Sequence, residues 1–174
     1  FSRDKDGNGA VILFAELAAY AASRGFTVAG LLDEIYSEVG FFLEVNQSKV
    51  FEGAEGSATI AKLADSYAAN KPTVVDGSPV KGVRDFRTDV IKDEEGVVVP
   101  KEKMIFVDLE DGRSFAVRPS GTEPKIKYYM FARSTPAAGQ RLTAEELVAA
   151  KAKVTASLDS MWAWIEKDVD DRLK

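Results

Sequence analysis

Between residues 118 and 125 the chain reads Arg-Pro-Ser-Gly-Thr-Glu-Pro-Lys, residue types suited to capturing a phosphate monoester. The Arg118 guanidinium is a planar fork of donors that matches two phosphate oxygens, and Ser120 and Thr122 add hydroxyl donors from the same loop. Gly121 lets the backbone come close, so that its N–H and that of Thr122 can point at one anion, as in a backbone nest. Pro119 and Pro124 restrict the empty loop, which lowers the ordering cost of binding. A Pro/Ser/Gly/Thr loop is ordinarily no more than a turn between strands. Here strand alternation puts Arg118 on the face opposite Phe115 and Val117, away from a core, and Lys125 and Lys127 add positive charge in a chain of net charge −5.

A second stretch with chemical capacity is DKDGNG at residues 4–9. An EF-hand loop takes ligands from positions 1, 3 and 5, needs Gly at 6 and closes with a bidentate carboxylate at 12. Asp4, Asp6, Asn8 and Gly9 satisfy the first four, but position 12 is Ala15, and Glu16 comes one residue late, about 100° round a helix already begun. The better account is that Asp6 or Asn8 caps an apolar helix, with calcium binding as an alternative. Asp76-Gly77-Ser78 and the turn at 108–112 are isolated and lack the clustered acids of a Mg²⁺ loop, so no metal ligands are expected on this chain.

Composition narrows the chemistry further. With no Cys and no His, thiol catalysis, disulfides, the usual zinc sites and every imidazole-activated nucleophile are excluded. The acidic balance argues against a general binder of nucleic acid or of anionic membranes. The longest apolar run, 10–22, is broken by Glu16 and is too short to span a bilayer, and no basic segment precedes it as in a signal peptide. A cytoplasmic protein is expected, and the initial Phe points to a piece of a longer one.

The elements that must position the loop follow from periodicity. Residues 10–24 predict a helix apolar over most of its circumference, and Thr27 caps a second whose stripe is Leu31, Leu32, Ile35, Tyr36 and Val39, ended by Gly40. A strand over 41–51, a helix over 57–70, a turn-rich connection at 76–79, a strand over 80–90 and an exposed loop at 92–96 come next. The hairpin 104–109 and 114–117 turns at Asp111-Gly112, and a strand over 126–132 follows the loop. Thr143 and Glu146 form a capping box for a long helix with Leu147, Ala150, Val154, Leu158, Met161, Trp162, Ile165 and Val169 at helical spacing. The fold class is α+β: a mostly antiparallel sheet of four to five strands with helices packed on one face, preceded by two helices. The first helix is expected to hide its apolar faces against the second, against another chain, or both. A protein-interaction or dimerisation module built on the last helix, with Trp162 and Trp164, is the other alternative.

RPSGTEPKIKYY closely resembles the phosphate-binding loop of the α-D-phosphohexomutases, the phosphoglucomutase and phosphomannomutase family, and RDKDG followed by an apolar helix resembles the end of that family's third domain. The resemblance implies residues 1–40 as a helical remnant of the third domain and linker, and 41–174 as the fourth, phosphate-binding domain, with a TATA-binding-protein-like fold. By matching positions, Arg118, Ser120, Gly121, Thr122, Glu123 and Lys125 inherit the hold on the non-reacting substrate phosphate. It further implies a parent enzyme that interconverts hexose 1-phosphate and hexose 6-phosphate through a phosphoserine and a bisphosphorylated sugar, with Mg²⁺. The serine motif, the Asp-rich metal loop and the sugar-reading loop do not occur here, so the chain alone is expected to be inactive. Hexose phosphate is the expected partner, alongside self-association through the N-terminal helices, with no nucleic acid and no membrane.

Overall fold

The computed structural model describes residues 5–53 and 55–174. Helix α1 spans Gly7–Ser23, and the Asp6 carboxylate caps it by accepting from the Gly9 N–H at 2.8 Å. Asn8 and Gly9 are thereby drawn into the first helical turn, which is not the geometry of a calcium loop; Arg3 and Asp4 lie outside the described residues. Helix α2, Val28–Val39, is capped by Thr27, whose hydroxyl accepts from the Gly30 N–H at 3.0 Å. It stops at Gly40, where φ is 98° and an added Cβ would sit 2.6 Å from the Ser134 carbonyl oxygen, so both backbone and space demand glycine.

These helices form a compact unit with the returning segment Ser134–Lys151. Within it Tyr36 meets Phe41 edge to face with centroids 5.0 Å apart, Lys151 pairs with Asp33, and the Leu142 N–H donates to the Ser37 carbonyl at 2.7 Å. α1 meets α2 but does not hide its apolar face against it: Val11, Ile12 and Phe14 are 70%, 67% and 59% exposed, and only Ala21 is buried. The reason is compositional, since apolar residues cover most of the α1 circumference and one neighbouring helix can cover only one stripe.

The second unit, Phe42–Arg133 with Ala152–Lys174, carries the sheet. Its strands are β1 (Phe41–Val50), β2 (Val74–Val75), β3 (Ser78–Asp85), β4 (Ile105–Leu109), β5 (Ser114–Pro119) and β6 (Lys125–Ser134), in the order β1-β6-β5-β4-β3-β2. β2 to β6 are joined by antiparallel pairings. The α+β class with an antiparallel sheet is as expected, but there are six strands rather than four or five. The added strand is β2: Asp76 and Gly77 both take positive φ, 46° and 77°, the two-residue hairpin geometry that sets Val75 opposite Ser78. At Asp111-Gly112 only Gly112 is left-handed, φ 86°, and the turn closes by the Leu109 N–H donating to Arg113 O at 3.0 Å. β3 also ends at Asp85 instead of running to residue 90, because the Asp85 N–H is taken by the Asp89 carboxylate at 2.8 Å and its carbonyl accepts from Asp89 N–H at 2.8 Å, which turns the chain away.

Helices α3 (Gly56–Ala69) and α4 (Ala144–Leu173) supply the other layer. Gly56 opens α3 tightly against the preceding chain, where a Cβ would collide with the Phe51 carbonyl oxygen. The capping box of α4 forms as expected: Thr143 N–H donates to Glu146 Oε2 at 2.8 Å and Glu146 N–H to Thr143 Oγ1 at 3.2 Å. In the second unit Ile60, Leu63 and Tyr67 of α3 and Val154, Leu158, Met161, Ile165 and Val169 of α4 are buried with Val107, Phe115, Val117, Tyr128 and Met130 of the sheet. Tyr128 touches both helices, edge to face with Tyr67 and with Trp162 at centroid separations of 6.3 and 5.7 Å. Trp162 is thus a packing residue. No single helix among the described residues is long and apolar enough to cross a membrane.

Candidate functional site

The Arg118-to-Lys125 loop joins the neighbouring interior strands β5 and β6, so both of its ends are held by the sheet. The Ser120 N–H donates to Lys125 O at 2.9 Å, the Lys125 N–H to Glu123 O at 2.7 Å, and the Phe51 N–H reaches across to Pro124 O at 2.9 Å. Among the described residues the N–H groups of Gly121 and Thr122 donate no backbone hydrogen bond, which leaves two adjacent donors for a ligand. Gly121 is not left-handed, so the alternating backbone of a nest is not formed. A Cβ on Gly121 would meet nothing within 4 Å, so its smallness serves approach from outside and not local packing.

Ser120, Gly121, Thr122 and Glu123 line one cavity of about 580 Å³, inside the size range of small-molecule sites. Its floor is apolar, from Ile60, Ala64, Met104, Ile105 and Val117, and Asp65, Arg87 and Lys103 bring charge to it. Arg118 and Lys125 are not among the lining residues. Antiparallel partners share a face, and the register Val117↔Tyr128, Arg118↔Lys127 puts the first pair in the core and the second on the open side of the sheet, as alternation predicts for Arg118. There Arg118 Nε lies 3.4 Å from Glu102 Oε1, with the two side chains 45% and 46% exposed. An ion pair so exposed is worth little, and a better anion can displace it. Lys125 Nζ donates to Glu123 Oε1 at 2.8 Å, and that hydrogen bond holds the Glu123 carboxyl below its ordinary range.

Arg87, Asp65 and Lys103 were not singled out by spacing. They stand 15 to 53 residues upstream of Arg118, on α3 and on the chain between β3 and β4, and no local pattern links them to the loop. Arg87 is clamped: its Nε and Nη2 donate to the two oxygens of Asp85 at 2.9 and 2.8 Å, and its Nη1 donates to Asp65 at 2.9 Å. The hydrogen bond from Arg87 holds the Asp85 carboxyl below its ordinary 3.8, and the same bond raises Arg87. A carboxyl depressed in the folded state stabilises at pH above its unfolded value and loses that contribution as pH falls through the folded one. Melting curves from neutral pH down to about pH 2.5 should therefore show Asp85→Asn less stable at neutrality and shallower in its acid loss below about pH 4. Parallel curves for the two proteins would refute a stabilising Asp85–Arg87 pair. Among the described residues no three His, Cys, Asp or Glu side chains converge to hold a metal ion, so the residues present do not fit the Mg²⁺ that the resemblance implies.

Residues 54–149 match the sequence model of the family described as phosphoglucomutase/phosphomannomutase, C-terminal domain. The phosphoglucomutase of Staphylococcus haemolyticus is 38% identical over 135 residues, covering 75% of this chain and 24% of that protein. That of Staphylococcus epidermidis is 36% identical over the same length, with the same shares. The chain thus spans about a quarter of the length of these curated relatives. Among solved structures, the exocytosis-sensitive phosphoprotein pp63/parafusin, a phosphoglucomutase from Paramecium in its open form, covers 98% of this chain with 28% of its own at 15% identity and a TM-score of 0.43.

Proposed function

This chain belongs to the phosphoglucomutase/phosphomannomutase family, as its C-terminal domain, and from that premise we propose that its loop at 118–125 holds the phosphate of a hexose phosphate. The observation that carries the reading is the loop itself: Arg118, Ser120, Gly121 and Thr122, with Glu123 and Lys125 beside them, displayed between two core strands with two unspent backbone donors. The division of labour suits phosphoryl transfer, which depends on positioning and charge neutralisation more than on covalent chemistry from most of the protein. In the parent enzyme, residues 41–174 clamp the non-reacting phosphate while the other end of the sugar exchanges its group, and residues 1–40 are the end of the preceding domain. Since the sugar must reverse between half-reactions through its bisphosphate, the clamp accepts either phosphate, and a set of modest donors on a closing domain serves this better than a rigid pocket. The donor phosphoserine and Mg²⁺ are assigned to no residue of this chain, which is inactive by itself and works in the cytoplasm as part of the larger enzyme.

The test is a titration of the ¹⁵N-labelled chain with glucose 6-phosphate. Saturable shifts are expected at 118–125, with a dissociation constant of about a millimolar because only part of the closed site is present. No change at the loop would refute the reading. A second reading, self-association through the apolar face of α1, is favoured by the exposure of Val11, Ile12 and Phe14 and is read in the same spectra as shifts along that helix with rising protein concentration. Spectra independent of concentration would exclude it.

A further inference from the structure

We infer that Lys103 supplies the counter-charge for an anionic group held in the cavity beside Ser120 and Thr122, a role that rests on the phosphate-binding reading of the loop. Four charged side chains line that cavity, Asp65, Arg87, Lys103 and Glu123. Three of them are spent. Arg87 is neutralised by Asp85 and Asp65, and Glu123 is paired with Lys125. Although the two carboxylates on Arg87 leave that cluster at net −1, Lys103 alone of the four has no ion-pair partner among the described residues, so the cavity keeps one unpaired cation on a wall it shares with two hydroxyls and an apolar floor.

Position strengthens the assignment. Lys103 follows Glu102, the partner of Arg118, so the same short segment flanks the loop on both sides: Glu102 toward the open face of the sheet and Lys103 toward the cavity. An anion entering at Ser120 and Thr122 would meet an ammonium on a flexible stem, a point charge that adapts to a phosphate presented in more than one orientation. The ligand class is a phosphate monoester dianion with a small polar body, and the cavity volume of about 580 Å³ leaves room for that body.

The experiment is a titration of the chain with inorganic phosphate and with glucose 6-phosphate, followed by the amide shifts of 120–123, in the wild type, Lys103→Gln and Lys103→Arg. Lys103→Gln should bind about tenfold more weakly, the scale of one lost charge-assisted contact, and Lys103→Arg should stay near the wild type. The gain in wild-type affinity as phosphate passes from monoanion to dianion should shrink in Lys103→Gln, which a purely structural role would not produce. If the loop shifts and Lys103→Gln binds as tightly as the wild type, the role of Lys103 is overturned and the loop reading stands. If the wild-type loop does not respond to either ligand, both fall.

Discussion

Replacing Arg113 with Ala is expected to lower the unfolding free energy of this chain by about 3 kcal/mol, the low end of what is lost when one partner of a buried ion pair is removed. Arg113 is 11% exposed and ties three segments together. Its Nη1 donates to Asp76 Oδ2 at 2.5 Å and to the Ser157 carbonyl at 2.9 Å, and its Nε donates to Asp111 Oδ2 at 2.8 Å. Burial works against its charge, yet the hydrogen bonds to Asp111 and Asp76 leave its pKa raised, so the cation is held by its partners. The Asp76 carboxylate also accepts from Ser160 Oγ at 2.8 Å, while its backbone takes the positive φ of the two-residue turn between β2 and β3, a conformation Asp tolerates. Removing Arg113 strands two acids and releases that turn. Urea unfolding measures the loss, and Arg113→Lys, which keeps a charge but not the fork, should fall between. A loss under about 1 kcal/mol would mean that the network is solvated and not structural.

Arg118→Ala in the full-length enzyme is the second large effect, on activity. Under the proposed function the specificity constant should fall by about 2–3 kcal/mol, or about 30- to 150-fold, the scale of a charge-assisted hydrogen bond lost from substrate capture. Folding should be nearly untouched, since Arg118 is on the open face and its one ion pair among the described residues, with Glu102, is half exposed. Glu102 competes with the substrate phosphate for the same guanidinium, so Glu102→Gln should leave KM unchanged or lower it. Arg118→Lys should recover only part of the loss, because a point charge does not reproduce bidentate geometry. An unchanged specificity constant in Arg118→Ala would refute the phosphate-clamp role of this residue.

Local signals were legible where one short stretch decides its own conformation. The Thr143/Glu146 box and the stripe from Leu147 to Val169 place α4 correctly because helical spacing and capping are properties of neighbouring residues. Val74-Val75-Asp76-Gly77 carries a turn signal as good as the one at Asp111-Gly112, but a two-residue strand has no periodicity of its own. β3 stops at Asp85 because its N–H and its carbonyl both bond to Asp89, four residues on, a local closure that strand propensity does not register.

From sequence alone come the family, the α+β class, the identity of the loop and the side of the sheet on which Arg118 stands, since alternation along a strand sets a residue's face without reference to any neighbour. Tertiary structure alone decides what the loop's polar groups face. Asp65, Arg87, Lys103 and Thr122 share a cavity although their separations in sequence follow no period, and pairing of Arg87 with Asp85 and Asp65 leaves Lys103 as the lining cation without an ion-pair partner among the described residues. Periodicity reports which face a residue takes; which charges cancel depends on distances across elements, and those are fixed only when the sheet and α3 have packed.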